Sequence, residues 1–182
     1  MTAFDYAIDF VFAVEGYVSN HKADAGGYTK YGIAQKSHPN VDVKNLTIDG
    51  AKAIYKKQYW DACKCDEFSG NVGLYLMDFA VNSGVKTAAV ALQKCVNRLT
   101  TGKNDAPLVA DGKIGPKTIE AARRLDQNAL VGALHAYRTA YFFGIVKRNP
   151  SQQTFVKGWM NRLAKLNMYA NGVEIKRFGC FV

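Results

Sequence analysis

Cysteine and histidine are scarce in this sequence, whose 182 residues contain four cysteines and three histidines. Cys63 and Cys65 are separated by one residue, which is closer than the Cys-x-x-Cys spacing of zinc sites, and no histidine lies near them. A zinc site is therefore disfavoured, and free thiols are the default expectation for a chain made in the cytoplasm. A redox role for this pair of cysteines stays open.

Long hydrophobic runs are also absent, which excludes a typical transmembrane helix of about 18 or more uncharged apolar residues. Residues 1–17 have an apolar middle, but they lack the basic start of a secretory signal peptide. Asp5 and Asp9 interrupt this stretch at helical spacing, which favours an amphipathic first helix. We therefore expect the mature chain to begin near Met1 and to be made in the cytoplasm without a signal peptide.

Acidic residues are outnumbered, since 15 Asp and Glu face 24 Lys and Arg, and the formal net charge is +9. Such a balance favours a polyanionic partner, which can be nucleic acid, anionic lipid headgroups or an acidic cell-wall polymer. The 48% of hydrophobic residues, against 21% of charged ones, disfavour intrinsic disorder. The length suits one domain with its own core, or one domain with a small appendage.

Hydrophobic periodicity predicts a mainly α fold. The predicted helices cover residues 3–14, 71–82, 127–147 and 151–169, with three more from Thr47 to Tyr59, from Ala88 to Leu99 and onward from Pro116. Glycines break the periodicity between Glu15 and Ile33, which predicts a loop and a short β-hairpin. In the last two helices, the apolar spacing predicts buried faces made of Leu130, Leu134, Tyr137, Tyr141 and Ile145, and of Phe155, Trp159, Leu163 and Leu166.

The segment after the first helix carries the residues that suggest catalysis. Glu15 directly follows Ala13 and Val14, and a carboxyl group held against apolar surface keeps its proton more easily, as a general acid must. Asp24 lies nine residues further on in a polar, glycine-rich stretch, where it can stay ionised. Two carboxyl groups in contrasting environments are the working parts of most glycosidases. Thr29 adds a hydroxyl that can orient a water molecule or hydrogen-bond a carboxylate.

Aromatic and amide side chains supply candidates for sugar binding. Tyr17 and Tyr28 can stack on sugar faces. Asp78 and Asn82 are four residues apart and share one face of an otherwise apolar helix. We expect Asn82 to line a cleft and Asp78 to belong to a structural polar network. The plain alternatives are a solvated glutamate at a helix end and an ordinary turn at residues 26–27.

Several short motifs follow one another in an order that is typical of one enzyme family. They comprise Glu15, Gly16, Tyr17, Val18, Asp24, Gly26, Gly27, Thr29, Tyr31, Gly32 and Ile33, then residues 58–61, 77–84, 92–93 and 111–118. With these motifs the chain resembles glycoside hydrolase family 108, the phage-type N-acetylmuramidases, over most of its length. The family has two glycines after its glutamate, where this sequence has Gly16 alone.

The resemblance implies a lysozyme-like helical fold with a small β-hairpin near the active site. It also implies hydrolysis of the β-1,4 bond between N-acetylmuramic acid and N-acetylglucosamine, with Glu15 as general acid and Asp24 and Thr29 as further catalytic residues. Residues 1–100 would form the catalytic region. Residues 101–182 would form a helical peptidoglycan-binding-like region packed into the same globule. This chemistry requires no metal and no organic cofactor.

Other functions stay open beside this interpretation. A lytic transglycosylase also uses one acidic residue, but it leaves an anhydro-sugar product. Some members of the family are described as secretion activators, so a non-catalytic role in wall binding or protein export is a further alternative. A nucleic-acid binder is suggested by charge alone, and because no recognised binding motif supports it, we expect no nucleic-acid partner.

The expected partner is peptidoglycan, whose carboxylates would attract a chain with a net charge of +9. A muramidase without a signal peptide requires a holin or an export machinery to reach its substrate in the periplasm or cell wall. This setting fits a prophage endolysin best. We expect the protein to be a monomer.

Overall fold

A computed structural model of the protein describes residues 1–15, 18–19, 28–102 and 106–173. The helices within these ranges are α1 Ala3–Glu15, α2 Ile48–Tyr55, α3 Gly70–Ser83, α4 Val85–Thr100, α5 Pro116–Arg123, α6 Gln127–Arg148 and α7 Val156–Ala170. Three short strands, β1 Val18–Ser19, β2 Thr29–Lys30 and β3 Ile33–Ala34, form an antiparallel sheet in sequence order. The predicted mainly α fold is confirmed, and the predicted hairpin corresponds to β2 and β3, to which β1 adds a third strand.

Side-chain caps explain where several helices begin. Thr47 Oγ1 accepts a hydrogen bond from the amide of Gly50 at 3.0 Å, so the predicted cap of α2 is confirmed. Ser69 and Asp126 cap α3 and α6 in the same way. In contrast, α5 follows Gly115 and has no capping side chain. Its first amides are therefore left open.

The helix predicted from Thr47 to Tyr59 changes its geometry halfway. After α2, residues Lys56–Trp60 form one turn of π-helix, a wider geometry that usually appears as a single turn. Trp60, in this turn, is fully buried. A Cβ at Gly73 would lie 2.9 Å from the Trp60 ring, so the absence of a side chain at Gly73 lets α3 pack directly on the indole.

The central helix of the fold is α3, in which every residue from Val72 to Ala80 is buried. A helix that is apolar on nearly all sides must be surrounded by other elements, and α3 packs against α1, α4, α6 and α7. Among the described residues, no helix is both long and apolar enough to cross a membrane. Helix α1 packs on α3, and five of its residues are buried, namely Ala7, Ile8, Phe10, Val11 and Phe12. This packing fixes the helix end that carries Glu15.

The predicted buried face of α6 is correct for its first half and wrong for its second. Leu130 and Leu134 are buried as predicted, but the buried face continues through Arg138 and Phe142. Tyr137, Tyr141 and Ile145 are only partly buried. The reason is that Arg138 occupies a core position, where it forms an ion pair with Asp78.

The predicted burial of Phe155 is wrong, since 52% of this residue is exposed. Residues Pro150–Phe155 form a 3-10 turn, and α7 begins only at Val156. A 3-10 turn has about three residues per turn, so it does not continue the face that Leu163 and Leu166 bury in α7. Trp159 is partly buried and stacks on Phe142, with ring centroids 4.8 Å apart.

Three cysteines, Cys63, Cys65 and Cys95, are buried free thiols, while Cys180 lies outside the described residues. Burial raises the pKa of the Cys95 thiol to about 12. Burial, followed by the neighbouring Cys63, also raises the pKa of Cys65 far above its ordinary value. Thiols that stay protonated in the core are chemically inert, so Cys65 and Cys95 contribute to packing.

Candidate active site

Glu15 is the last residue of α1, and its side chain is 30% exposed. The buried residues of the same helix, which end with Phe12, anchor the backbone that carries it. The carboxyl group therefore combines access to solvent with a fixed attachment point. A group that must meet a substrate in a defined geometry requires both properties.

Arg162 of α7 holds Glu15 from the other end of the chain. Its Nη1 donates a hydrogen bond to Glu15 Oε1 at 2.5 Å, and only 10% of the arginine side chain is exposed. Its Nη2 and Nε donate to Asp78 Oδ1 at 2.7 and 3.0 Å. One planar guanidinium group thus fixes two carboxylates, a task for which its rigid set of donors is suited.

Asp78 lies between two arginines in the protein interior. It is fully buried, and Arg138 Nη1 donates to its Oδ2 at 2.5 Å. Burial acts to raise the pKa of Asp78, but the charges of Arg162 and Arg138 hold it below its ordinary value. Asp78 therefore stays ionised in the core. We refer to Glu15, Arg162, Asp78 and Arg138 as the carboxylate–arginine network.

The same charges act on the arginines of the network. Burial lowers the pKa of Arg138 from its ordinary value, although Asp78 opposes this effect. Burial also acts to lower the pKa of Arg162, but Asp78 and Glu15 together raise it above the ordinary value. Arg162 thus remains a fixed positive charge beside Glu15.

The turn between β2 and β3 lies directly against Glu15. Tyr31 and Gly32 have φ angles of 55° and 76°, as expected for the tight turn of a two-residue hairpin. A Cβ on Gly32 would lie 3.2 Å from Glu15 Cβ and 2.5 Å from Tyr55 Oη. The close approach explains why glycine occupies this position. It also places the predicted hairpin beside Glu15.

Two tyrosines complete the surroundings of Glu15. Tyr55 donates a hydrogen bond from its hydroxyl to the carbonyl oxygen of Tyr31 at 3.0 Å, which ties the turn to the end of α2. Burial, followed by the negative charge of Glu15, raises the pKa of both Tyr55 and Tyr59. Both phenols are therefore neutral at physiological pH.

Of the predicted site residues, Thr29 and Tyr28 lie on the hairpin. Thr29 is the first residue of β2, where it is paired with Ser19 and Ala34, and it is half-buried. Tyr28 directly precedes it, packs against the core, and accepts a hydrogen bond on its carbonyl oxygen from Gln35. Both residues belong to the hairpin whose turn touches Glu15.

Asn82 lies near the end of α3, where it is exposed. It follows Asp78 by four residues, so it lies about one helical turn further along the same face. The predicted pair thus divides into a buried aspartate inside the network and an exposed amide beyond it. Asp24 and Tyr17, the remaining predicted site residues, lie outside the described residues.

Neither arginine of the network is among the site residues predicted from the sequence. A buried aspartate in an apolar helix requires a cationic partner, because an unpaired buried charge is very costly. Asp78 therefore signalled that such a partner exists. Its identity could not be read from the sequence, since Arg138 and Arg162 are 60 and 84 residues away along the chain.

Comparison with known proteins places this arrangement in a family. Residues 8–84 match the family model described as glycosyl hydrolase 108, and residues 87–164 match one described as a predicted peptidoglycan domain. A solved structure titled "Structure of Brucella abortus SagA" is 30% identical, with a TM-score of 0.73, and the match covers 93% of this chain and 94% of that one. The chain belongs to the glycosyl hydrolase 108 family. No curated protein matches it.

Membership of the glycosyl hydrolase 108 family confirms the predicted resemblance and the lysozyme-like, mainly α fold. The first match supports a glycoside hydrolase, and the second supports peptidoglycan as its substrate or partner. Glu15 and Asp78 fall in the first matched region, whereas Arg138 and Arg162 fall in the second. The carboxylate–arginine network therefore joins the two regions through ion pairs.

Proposed function

We propose that this protein is an N-acetylmuramidase that hydrolyses the β-1,4 bond between N-acetylmuramic acid and N-acetylglucosamine, with Glu15 as general acid. The observation that carries the proposal is the setting of Glu15. Its carboxyl group is partly exposed at the end of a helix with one buried face, is held by Arg162, and lies against the turn of a small sheet. Family membership supplies the glycosidase chemistry that such a carboxyl group can perform.

The two oxygens of Glu15 have different surroundings. Oε1 accepts the hydrogen bond from Arg162, whereas Oε2 has no partner among the described residues. Oε2 is therefore the oxygen available to carry a proton to the glycosidic oxygen.

In the proposed reaction, Glu15 protonates the leaving oxygen while the bond to the muramic acid anomeric carbon breaks. Positive charge develops on the sugar ring in an oxocarbenium-like transition state. A water molecule then adds to this carbon, and its proton is lost to solvent or to a carboxylate. We propose that Asp24, with Thr29, positions this water or stabilises the charge, and that Tyr17, Tyr28 and Asn82 bind the sugar.

The proposal is tested by comparing wild type with Glu15→Gln on purified peptidoglycan. Loss of turbidity and release of reducing ends are expected to fall by at least about 100-fold, because general acid catalysis contributes about 10²- to 10⁴-fold. Glu67→Gln is the matched control, since Glu67 pairs with Arg123 away from the network. Equal activity of wild type and Glu15→Gln would rule out the assignment.

Mass spectrometry of the digest distinguishes the reaction type. Hydrolysis leaves a reducing N-acetylmuramic acid end that has gained water. A lytic transglycosylase would leave a 1,6-anhydro end instead, and peptidoglycan binding without any cleavage would favour the non-catalytic alternative. The two cleavage products are distinguished in the same digest.

We further propose that the enzyme reaches peptidoglycan in the periplasm or cell wall with the help of a holin or an export machinery. Genes for a holin or a toxin next to the coding sequence would distinguish phage lysis from assistance in secretion. The boundary between a catalytic and a peptidoglycan-binding-like region near residue 100, and the monomeric state, remain predictions.

A further inference from the structure

We propose that the groove at the start of α5 is a binding site for a carboxylate of the peptidoglycan stem peptide, separate from the site around Glu15. The groove has a volume of about 590 Å³ and is lined by residues that include Val109, Asp111, Lys113, Lys117 and Thr118. The inference rests on the proposed function, because it takes peptidoglycan as the substrate. It names the part of that polymer which the second matched region recognises.

A buried glutamine sets the shape of the groove. Gln93 of α4 is 1% exposed, and its Nε2 donates to Asp111 Oδ1 at 2.8 Å and to the carbonyl oxygen of Lys113 at 3.0 Å. Its Oε1 accepts a hydrogen bond from the amide of Gly112 at 2.9 Å. All three bonds of one core side chain thus hold the turn that leads into α5.

Gly112 allows this turn to lie close to α4. Its φ angle is 80°, and a Cβ here would lie 2.7 Å from the Lys86 side chain and 3.2 Å from the Lys86 carbonyl oxygen. Any other residue would push the turn away from the helix. The position of the groove is therefore built into the sequence around residues 111–116.

The start of α5 offers open hydrogen-bond donors to the groove. The first backbone bond of the helix runs from the amide of Ile119 to the carbonyl oxygen of Gly115, so the amides of Lys117 and Thr118 are left without a helical partner. Gly115 supplies no capping side chain. Open amides at a helix start attract anions, because the helix dipole places partial positive charge there.

Thr118 is the second, independent indication of a ligand. The residue is only 4% exposed, and it lines the groove. Its hydroxyl makes no hydrogen bond to the described residues. The hydroxyl oxygen is not completely sealed from solvent, so a ligand in the groove can reach it. A nearly buried hydroxyl that faces a groove without a partner is suited to donate to a bound carboxylate.

The charges of the groove favour an anion. Lys113 and Lys117 are exposed and have no ion-pair partner among the described residues, whereas Arg123 and Arg124 are paired with Glu67 and Glu120. Asp111 is the opposing charge, and hydrogen bonds from Gln93 and the amide of Lys113 occupy its Oδ1. The charge of Lys113 acts on Asp111 and helps to lower the pKa of that carboxyl group, after the hydrogen bonds from Gln93 and the Lys113 amide. Lys117 and the open helix start therefore leave the groove with an excess of positive charge.

The chemistry of peptidoglycan points to its peptide as the source of the carboxylate. Where a stem peptide is attached, the lactyl carboxyl group of the sugar is consumed in an amide bond, so the free carboxylates belong to the peptide. The groove also has an apolar wall, in which Pro107 and Val109 are exposed. This wall can contact the methyl groups of alanine residues in the peptide.

The test uses the full-length Glu15→Gln variant, in which binding is measured without cleavage. The probe is the soluble tripeptide L-Ala-γ-D-Glu-L-Lys, titrated while the backbone amides are followed by NMR. The amides of Lys117 and Thr118 are expected to shift most. The same peptide with amidated carboxyl groups is expected to leave the chemical shifts of these two amides unchanged, because the ligand group is the carboxylate.

Two substitutions in this background separate a built site from general attraction. Thr118→Val keeps the side-chain shape and is expected to weaken binding by about tenfold, since a hydrogen bond to a charged group is lost. Lys117→Gln removes an exposed charge and is expected to weaken binding of the peptide by about threefold. Lys157→Gln, an exposed site on α7, lowers the net charge equally and is the control.

The inference is overturned if Lys157→Gln weakens binding as much as Lys117→Gln, or if the amidated peptide binds equally well. It is also overturned if a short oligothymidine shifts the same amides more strongly than the peptide, which would indicate a phosphate site. Hydrolysis of peptide-free glycan strands by the groove variants with Glu15 intact should equal wild type. That assay reports on the proposed muramidase activity alone, so the two proposals can fail separately.

Discussion

The Arg162 guanidinium group donates a hydrogen bond to the carboxylate of Glu15 at 2.5 Å, across 147 residues of sequence. The same group binds Asp78, which is fully buried and also paired with Arg138. The candidate catalytic carboxyl group is therefore held by a charge that the core itself fixes in place. Four helices, α1, α3, α6 and α7, meet in this network, so the geometry at Glu15 depends on residues from both matched regions.

We predict that Arg162→Lys lowers kcat on peptidoglycan with little change in KM. Lysine keeps the charge, but it cannot bind Glu15 and Asp78 at once with a planar set of donors. Misplacement of a reacting group by about 1 Å can cost about 100-fold in rate. Steady-state kinetics at fixed pH measures the effect. Arg148→Lys, at an exposed position of α6, is the control, and an unchanged kcat in Arg162→Lys would remove Arg162 from the proposed mechanism.

Asp78→Asn is expected to lower the free energy of unfolding by about 3–5 kcal/mol at neutral pH, because it leaves two buried arginines without their shared carboxylate. Urea denaturation gives the value. Asp66→Asn is the matched control, since the Asp66 side chain is 69% exposed and its loss should change stability little. A similar loss in both variants would contradict the central role of the buried pair.

The effect of Asp78 should also depend on pH in a defined direction. Its pKa is lowered in the folded protein from an ordinary value of 3.8, so the unfolded chain takes up a proton first as the pH falls. The stability difference between wild type and Asp78→Asn should therefore be constant above about pH 5 and narrow below about pH 4. Denaturation curves at several pH values test this. A difference that narrows between pH 7 and 5 would assign the effect to another group.

Gly32→Ala is expected to lower both stability and activity. The φ angle of 76° strains any residue with a Cβ, and the added carbon would also meet Tyr55 Oη and Glu15 Cβ. Gly172→Ala is a close control, because its φ angle is 79° but no atom lies within 4 Å of the new Cβ. Both variants should lose about 1–2 kcal/mol from backbone strain. Only Gly32→Ala should also lose activity on peptidoglycan, as measured by release of reducing ends.

Salt should weaken the action of the enzyme on whole peptidoglycan. The net charge of +9 favours attraction to an anionic wall, and the screening length falls from about 10 Å at 0.1 M to about 3 Å at 1 M salt. Turbidity assays over this range should show a steady decline. Cleavage of peptide-free glycan strands whose lactyl carboxyl groups are amidated, and which are therefore uncharged, should change much less. Equal salt dependence with the two substrates would show that salt changes the activity of the enzyme itself rather than its attraction to the wall.

Much of the fold could be predicted from local patterns. The helix around Val72 and Ala80 is visible as an apolar run, and Thr47 marks the start of α2 as a capping residue. Gly32 indicates the β2–β3 hairpin, because glycine is preferred in a turn with positive φ angles. These features depend on residues close together in sequence, so their physics can be read from the sequence alone.

Side-chain burial was harder to predict where charge or irregular geometry intervened. Arg138 occupies a core position on α6, whereas the hydrophobic periodicity of a helix predicts apolar residues at such positions. Phe155 follows an apolar spacing, yet it belongs to a 3-10 turn and is exposed. In both cases a tertiary contact or a local change of helical pitch overrode the pattern on which the prediction depended.

The sequence by itself determined the mainly α fold, the hairpin after the first helix, and Glu15 as a candidate acid at the end of that helix. Only the tertiary structure decided what holds Glu15. Its partner Arg162, and the buried pair of Asp78 with Arg138, come from three other helices. Ion pairs of this kind have no local sequence signal. A buried carboxylate requires a positive charge nearby in space, but that charge can come from any position in the chain.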